Sequence, residues 1–324
     1  MSLAADPPAW LWIAFTVAAA GVQTARNAMQ RSLTDRLGTV GATHVRFLFG
    51  LPFGLLFAAA VFAVASPATL SVSWSFAGWT LMGAVFQIAG TALMLAAMRE
   101  RSFVVAIAYV KTEPVQIALF GLVFLGERLS LQASAAVLIA TCGVLLMSMP
   151  MRARAPATGP APAPGSGAAS TLAPASPWPR AALLGVLSGA MFALSAVGFR
   201  GAILALGEGP FYLRATATLA TSLAMQTALL TVWLLWRERA VLREILRLWR
   251  PSLLAGAAGA LASQLWFLAF SLQAAAAVRT VGLAEILFAQ AVSHRLFAQG
   301  TTAREAAGMA MMVGGVVWLL LAGP

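Results

Sequence analysis

Two carboxylates stand where a bilayer tolerates them least. Glu113 and Glu285 fall inside stretches, 103–125 and 275–297, dominated by Ala, Val, Leu, Ile and Phe. A charge at the bilayer centre costs about 2.5–3.5 kcal/mol on insertion scales, so each glutamate needs a buried partner or a water-filled cavity. Lys111, the only lysine of the chain, and Arg279 are the nearby cations. Two chemistries fit. In one, the glutamates hold an ammonium group or a transported proton while Lys111 meets a solute carboxylate. In the other, Lys111 and Arg279 neutralise the glutamates and the pairs only tie helices together. Helical spacing predicts Tyr109, Glu113 and Gln116 on one face of their helix. Lys111, two residues from Glu113, is predicted on the far side, where it reaches Glu285 or a solute, or snorkels to the interface.

Further polar groups lie in other apolar stretches: Gln23, Gln87 and Gln264, which bond across helices or line a solute path. Trp266 and Phe86 lie close to the two deeper glutamines and offer a stacking surface, with ordinary packing as the alternative. Arg46 and Arg214 open spans and are expected as interface anchors, a gate salt bridge being the other reading. The candidate substrate-binding set is therefore Glu113, Tyr109, Lys111, Gln116, Glu285, Gln87, Gln264 and Trp266. No catalytic or metal-binding residue and no cofactor is expected. His44 and His294 are the only histidines, Cys142 is the only cysteine, and no phosphate-binding glycine loop, metalloprotease helix motif or nucleophile elbow is present.

The elements that position these groups follow from composition. The 324 residues are 60% hydrophobic and 10% charged, with a mean hydropathy of +0.86. A soluble core of this size cannot bury that much apolar surface, so the chain reads as an all-α polytopic membrane protein. Ten stretches are long enough to cross a bilayer core of about 30 Å: 9–33, 42–65, 74–98, 103–125, 131–149, 180–204, 210–236, 252–273, 275–297 and 302–322. They are continuously apolar, which indicates helices and not a barrel. Trp10, Trp12, Trp74, Trp178, Trp236 and Trp318 lie toward span ends, where an amphipathic ring suits the interface.

Between spans five and six, Pro150 to Pro179 holds eight of the sixteen prolines and reads as a linker. The expected division is a first five-helix repeat at 1–149, a linker at 150–179 and a second repeat at 180–324. An offset of 172, the separation of Glu113 and Glu285, also aligns Ala97 with Ala269, Ala135 with Ala307 and Gly143 with Gly315. Earlier in the halves the register slips, but each first span ends near an arginine (Arg26, Arg200). Five spans is an odd number, so the two copies must be inserted in opposite orientations, the inverted repeat used by transporters. Two complete halves make a monomer sufficient.

The net charge of +11 is spread as single arginines between apolar runs, which marks topology and not nucleic-acid binding. Fourteen arginines fall in the odd-numbered connections, and one, Arg128, in the even connections and termini. The odd connections are thus predicted to be cytoplasmic and both termini periplasmic. Twenty arginines against one lysine, with abundant alanine, suggest a bacterium with a GC-rich genome.

Residues 97–143 resemble the core of EamA-type proteins of the drug/metabolite transporter superfamily. The resemblance is carried by Ala97-Met98, Pro114, Leu125-Gly126-Glu127-Arg128 and Gly143, and by Arg46-Phe47 at the start of span two. The second half departs from the pattern: Phe297-Ala298-Gln299-Gly300 replaces the Leu-Gly-Glu-Arg sequence and Ile286 replaces the proline. The resemblance implies ten spans and secondary transport of small metabolites in the bacterial inner membrane, commonly amino-acid efflux. The aromatics near the glutamines favour large or aromatic amino acids. Export of cationic drugs, polyamines or lipids is the alternative, and a membrane-embedded lipid enzyme a more distant one. Family habit places both termini in the cytoplasm, opposite to the arginine count. Glu127-Arg128 is expected to cap span four and steer the following turn.

Overall fold

The computed structural model describes residues 7–65, 70–100, 103–148, 178–288 and 303–322. The linker expectation, His294 and the Phe297–Gly300 sequence lie largely or wholly outside them. All regular structure among the described residues is helical, as the continuous apolar runs require. Helices α1 (Leu11–Leu48), α2 (Leu51–Val64), α3 (Trp74–Glu100), α4 (Phe103–Val110), α5 (Glu113–Leu125) and α6 (Leu131–Ser148) precede the linker. After it come α7 (Trp178–Ala205), α8 (Phe211–Arg237), α9 (Arg239–Arg247), α10 (Trp249–Leu272), α11 (Ala275–Val281) and α12 (Ala303–Ala322).

Five segments are long and apolar enough to cross a membrane: Leu11–Val64, Trp74–Glu100, Arg180–Ala205, Phe211–Arg237 and Trp249–Leu272. Glu113–Leu125, Leu131–Leu146 and Ala306–Ala322 are shorter apolar helices. The first segment runs 54 residues, about 80 Å if straight, more than twice a bilayer core. It is not straight. Gly38 interrupts α1 with φ 65° and ψ 179°, a backbone conformation open to glycine because it lacks a Cβ. The connection expected between spans one and two is therefore mostly helical, with its turn concentrated at one residue.

Helix packing relies on small residues, as it must where lipid removes the hydrophobic contrast between inside and outside. Gly83 and Gly90 of α3 accept the rings of Phe199 and Phe192 of α7, and Ser188 Oγ donates to Gly90 O at 2.7 Å. Helix α1 packs in the same way along α10, and α6 along α12. The last contact is reciprocal. A Cβ on Gly143 would lie 2.5 Å from Met312 N and 2.6 Å from Gly308 O; one on Gly315 would lie 2.6 Å from Ala140 N and 2.8 Å from Ala136 O. Gly143 and Gly315 are themselves 172 residues apart.

One expectation at the interface needs correction. Trp12 is buried, while Trp10, Trp74 and Trp236 are exposed. The arginine-rich connection after α8 forms the amphipathic helix α9, whose Ile245 is fully buried and, with Val241, faces Gly41 beyond the α1 kink.

Candidate functional site

The two glutamates sit at two helix breaks. Helix α4 stops at Val110 and α5 begins at Glu113. Between them Lys111 N donates to Ile107 O at 3.1 Å and Thr112 N to Tyr109 O at 3.3 Å. Pro114 has no N–H to continue the ladder, so the helix restarts. In the second half α11 ends at Val281, a 3₁₀ turn covers Gly282–Ala284, and helical backbone resumes at Glu285. The same offset relates the breaks, although Ile286 stands in place of the proline. Here a glycine marks the turn: a Cβ on Gly282 would lie 2.5 Å from the Trp266 ring.

The breaks bring the charges together in crossed pairs. Lys111 Nζ of the first half donates to Glu285 Oε2 of the second. Arg279 of the second half lies against Glu113 of the first, Nε to Oε1 at 3.4 Å. The carboxylates are held differently. Glu285 also accepts from Gln23 Nε2 at 2.8 Å and from Asn27 Nδ2 at 3.0 Å, and Gln23 is fixed in turn by Trp266 Nε1 at 3.0 Å. Neither Glu113 Oε1 nor Arg279 Nε completes a hydrogen bond. The Arg279 guanidinium instead lies over the Trp266 ring, 4.2 Å from its centroid, a cation–π contact that fixes its height.

Two more arginines complete the group. Arg26 donates to Asn27 Oδ1 through Nε at 3.2 Å and Nη2 at 2.6 Å. Arg46 donates to Thr91 Oγ1 and Ser263 Oγ, each at 3.2 Å. All these groups enclose one small cavity of about 20 Å³ with Gln87 and the rings of Phe192, Phe199 and Phe267. That volume admits roughly one water molecule, so a solute enters only if the side chains part.

Of the eight residues assigned from sequence, Glu113, Lys111, Glu285, Gln87 and Trp266 line this cavity. Tyr109, Gln116 and Gln264 do not. Tyr109 packs on Gly185 of α7 and the Gln116 side chain approaches Gly189, while Gln116 Nε2 donates to Thr112 Oγ1 at 3.2 Å. The break at 111–112 is the reason: it rotates α4 relative to α5, so i, i+4 spacing across it no longer defines one face. Lys111 lines the cavity with Glu113 and pairs with Glu285, one of the partners its spacing allowed, and not with Glu113. Gln264 faces α8, donating to Thr216 Oγ1 at 2.8 Å, and Gln87 accepts from Gln226 Nε2 at 2.7 Å. Phe86 is half-buried and outside the lining.

Arg46 is not an interface anchor; it is 3% exposed and belongs to the cavity wall. Arg214 is partly exposed and bonds to Gly207 O at 3.3 Å. Sequence reasoning also left Arg26 and Asn27 unassigned. Their signal was present, since Gln23, Arg26, Asn27 and Gln30 recur at i, i+3, i+4 and i+7, a polar stripe along an otherwise apolar helix. Glu127 caps α5 as expected: Gly126 adopts φ 67°, Glu127 N donates to Gly121 O at 3.1 Å, and the carboxylate receives Arg200 Nε at 2.9 Å.

Apolar helices thus close around buried charges at two helix breaks. Residues 8–149 match the model of the EamA-like transporter family. Its members are transporters. A solved structure titled "Crystal structure of protein" has a TM-score of 0.64 to this chain over 96% of each, at 15% identity, and shares its fold. No curated protein matches the sequence.

Proposed function

We propose that the protein is a secondary transporter that exports amino acids, large or aromatic ones included, by alternating access. The observation that carries this reading is the crossed arrangement of Lys111–Glu285 and Arg279–Glu113 at the two breaks. Each pair joins an element before the linker to one after it, so neither half can swing away without parting a buried ion pair. A zwitterion supplies the charges that replace them. Its ammonium goes to Glu113, the carboxylate with no completed hydrogen bond, and its carboxylate to Lys111 or Arg279. Phe192, Phe199, Phe267 and Trp266 receive an apolar side chain.

A ten-span inverted repeat belongs to the same reading. The reciprocal Gly143 and Gly315 contacts lie where a two-fold between the halves would fall, and α3–α7 and α1–α10 are the pairs such a two-fold exchanges. In this reading the protein lies in a bacterial inner membrane as a monomer, odd connections in the cytoplasm and both termini in the periplasm. The family and the absence of a nucleotide-binding loop leave an ion or solute gradient as the energy source.

Counterflow tests it. Proteoliposomes are loaded in turn with each of the twenty amino acids, a polyamine and a cationic dye, and uptake of labelled solute is followed. Exchange of amino acids that Glu113→Ala abolishes is expected. Exchange of only the dye or polyamine would favour the cationic-drug alternative, which the excess of cations around the cavity disfavours.

A further inference from the structure

The cavity wall is not electrically balanced. Four cations face it, Arg26, Arg46, Lys111 and Arg279, but only two carboxylates, Glu113 and Glu285. Both carboxylates are already engaged, Glu285 by Lys111, Gln23 and Asn27 and Glu113 by Arg279. Arg26 lies within electrostatic reach of Glu285, but the described hydrogen bonds of Arg26 and Arg46 go to neutral acceptors: Asn27 Oδ1, Thr91 Oγ1 and Ser263 Oγ. Arg26 Nη1 and Arg46 Nε are buried and donate to no described group.

The two arginines are also neighbours. A Cβ on Gly259 would lie 3.1 Å from Arg46 Cγ and 3.5 Å from Arg26 Cδ, so both stems cross the same glycine of α10. Two guanidiniums side by side in a low-dielectric site repel each other, and each carries a desolvation penalty that a neutral hydroxyl offsets poorly. Fixed guanidinium donors are matched in geometry to carboxylate or phosphoryl oxygens.

From this we infer that Arg26 and Arg46 form an oxyanion site, and that the preferred solute carries a net negative charge, as a carboxylate or phosphoryl group beyond those of a neutral zwitterion. That the anion is cargo rests on the transport reading; that it binds does not.

The experiment begins with the full chain purified in detergent. Its thermal unfolding is followed at constant ionic strength with L-glutamate, malate, 3-phosphoglycerate or inorganic phosphate, and with L-leucine, L-phenylalanine, L-lysine or putrescine. A midpoint that rises in a saturable way, and at lower concentrations with the anions than with the neutral or cationic solutes, is expected. Malate without phosphate would identify the carboxylate, and the reverse the phosphoryl group. Arg46→Gln is expected to weaken the anion response at least about tenfold, the usual scale for losing one partner of a buried charge pair.

Arg46→Gln also removes a packed guanidinium, so Ser263→Asp provides a second arm. It sets a carboxylate beside Arg46, whose Nη2 lies 3.2 Å from Ser263 Oγ. Its unfolding midpoint without solute is expected to equal or exceed that of the parent, while the anion response disappears. Equal responses to all solutes, no response to any, or a full anion response in Ser263→Asp would overturn the oxyanion site. Counterflow with the same solutes separates the two readings. Anion binding without exchange of anything removes the transport reading and keeps the site; exchange of neutral solutes without anion binding does the reverse.

Discussion

Glu113 and Glu285 occupy equivalent positions, and their surroundings assign them different duties. Glu285 accepts three donors from two segments, Gln23 and Asn27 on α1 and Lys111 at the first break. Removing its charge leaves Lys111 buried and alone, a loss of about 3–5 kcal/mol. Glu113→Gln disturbs one ion pair that has no hydrogen bond to lose. Glu285→Gln is therefore expected to lower the unfolding midpoint much further than Glu113→Gln does. Lys111→Met in the Glu285→Gln background is expected to recover part of the loss, since it removes the stranded charge. Thermal unfolding of the three variants in detergent checks this, and equal midpoints for the two single variants would contradict it.

At the scale of elements, the breaks matter more than the helices. A continuous span four would have kept Tyr109, Glu113 and Gln116 on one side and Lys111 on the other. The stop at Val110 and restart at Glu113 send Tyr109 and Gln116 to the glycines of α7 and deliver Lys111 to Glu285. Close approach of whole helices depends on other glycines. Gly143 and Gly315 each face backbone atoms of the opposite helix at under 3 Å from an added Cβ, and backbone does not yield as a side-chain tip does. Gly143→Ala and Gly315→Ala are expected to destabilise by similar amounts, about 1–3 kcal/mol each. Gly314→Ala is the internal control, because nothing lies within 4 Å of its added Cβ. Denaturant unfolding of the three variants measures the contrast.

Across the whole molecule, buried and part-buried ion pairs join the residues before 149 to those after 177, in addition to helix packing. Lys111–Glu285, Arg279–Glu113 and Arg200–Glu127 are such pairs, and Arg200 Nη1 also donates to Phe270 O in α10. Association of the parts therefore does not need the covalent connection. Fragments 1–149 and 180–324, co-expressed with a tag on one, are expected to purify together. Lys111→Ala combined with Arg279→Ala is expected to reduce the yield of the untagged fragment, and independent elution of the unaltered fragments would refute the interlocked arrangement.

Much of this was written in the chain. Continuous apolar runs required helices because no other backbone satisfies its own hydrogen bonds in lipid. Trp74–Glu100 and Phe211–Arg237 fall close to the expected 74–98 and 210–236, whereas α1 runs on to Leu48 and the spans expected at 103–125 and 275–297 are broken. The offset of 172 located Glu113 and Glu285, and the expense of a buried charge marked them as residues needing partners. Which partners they took was a tertiary matter. Lys111 and Glu285 are 174 residues apart, and sequence periodicity carries no information about contacts at that distance. Periodicity also fails at a break, which is why Tyr109 and Gln116 were assigned to the wrong surface. Arg46 read as an anchor because a span end and a cavity wall look alike in one dimension. Only the packing of α1 against α10 over Gly259 set Arg46 beside Arg26 and turned two scattered arginines into one positive site.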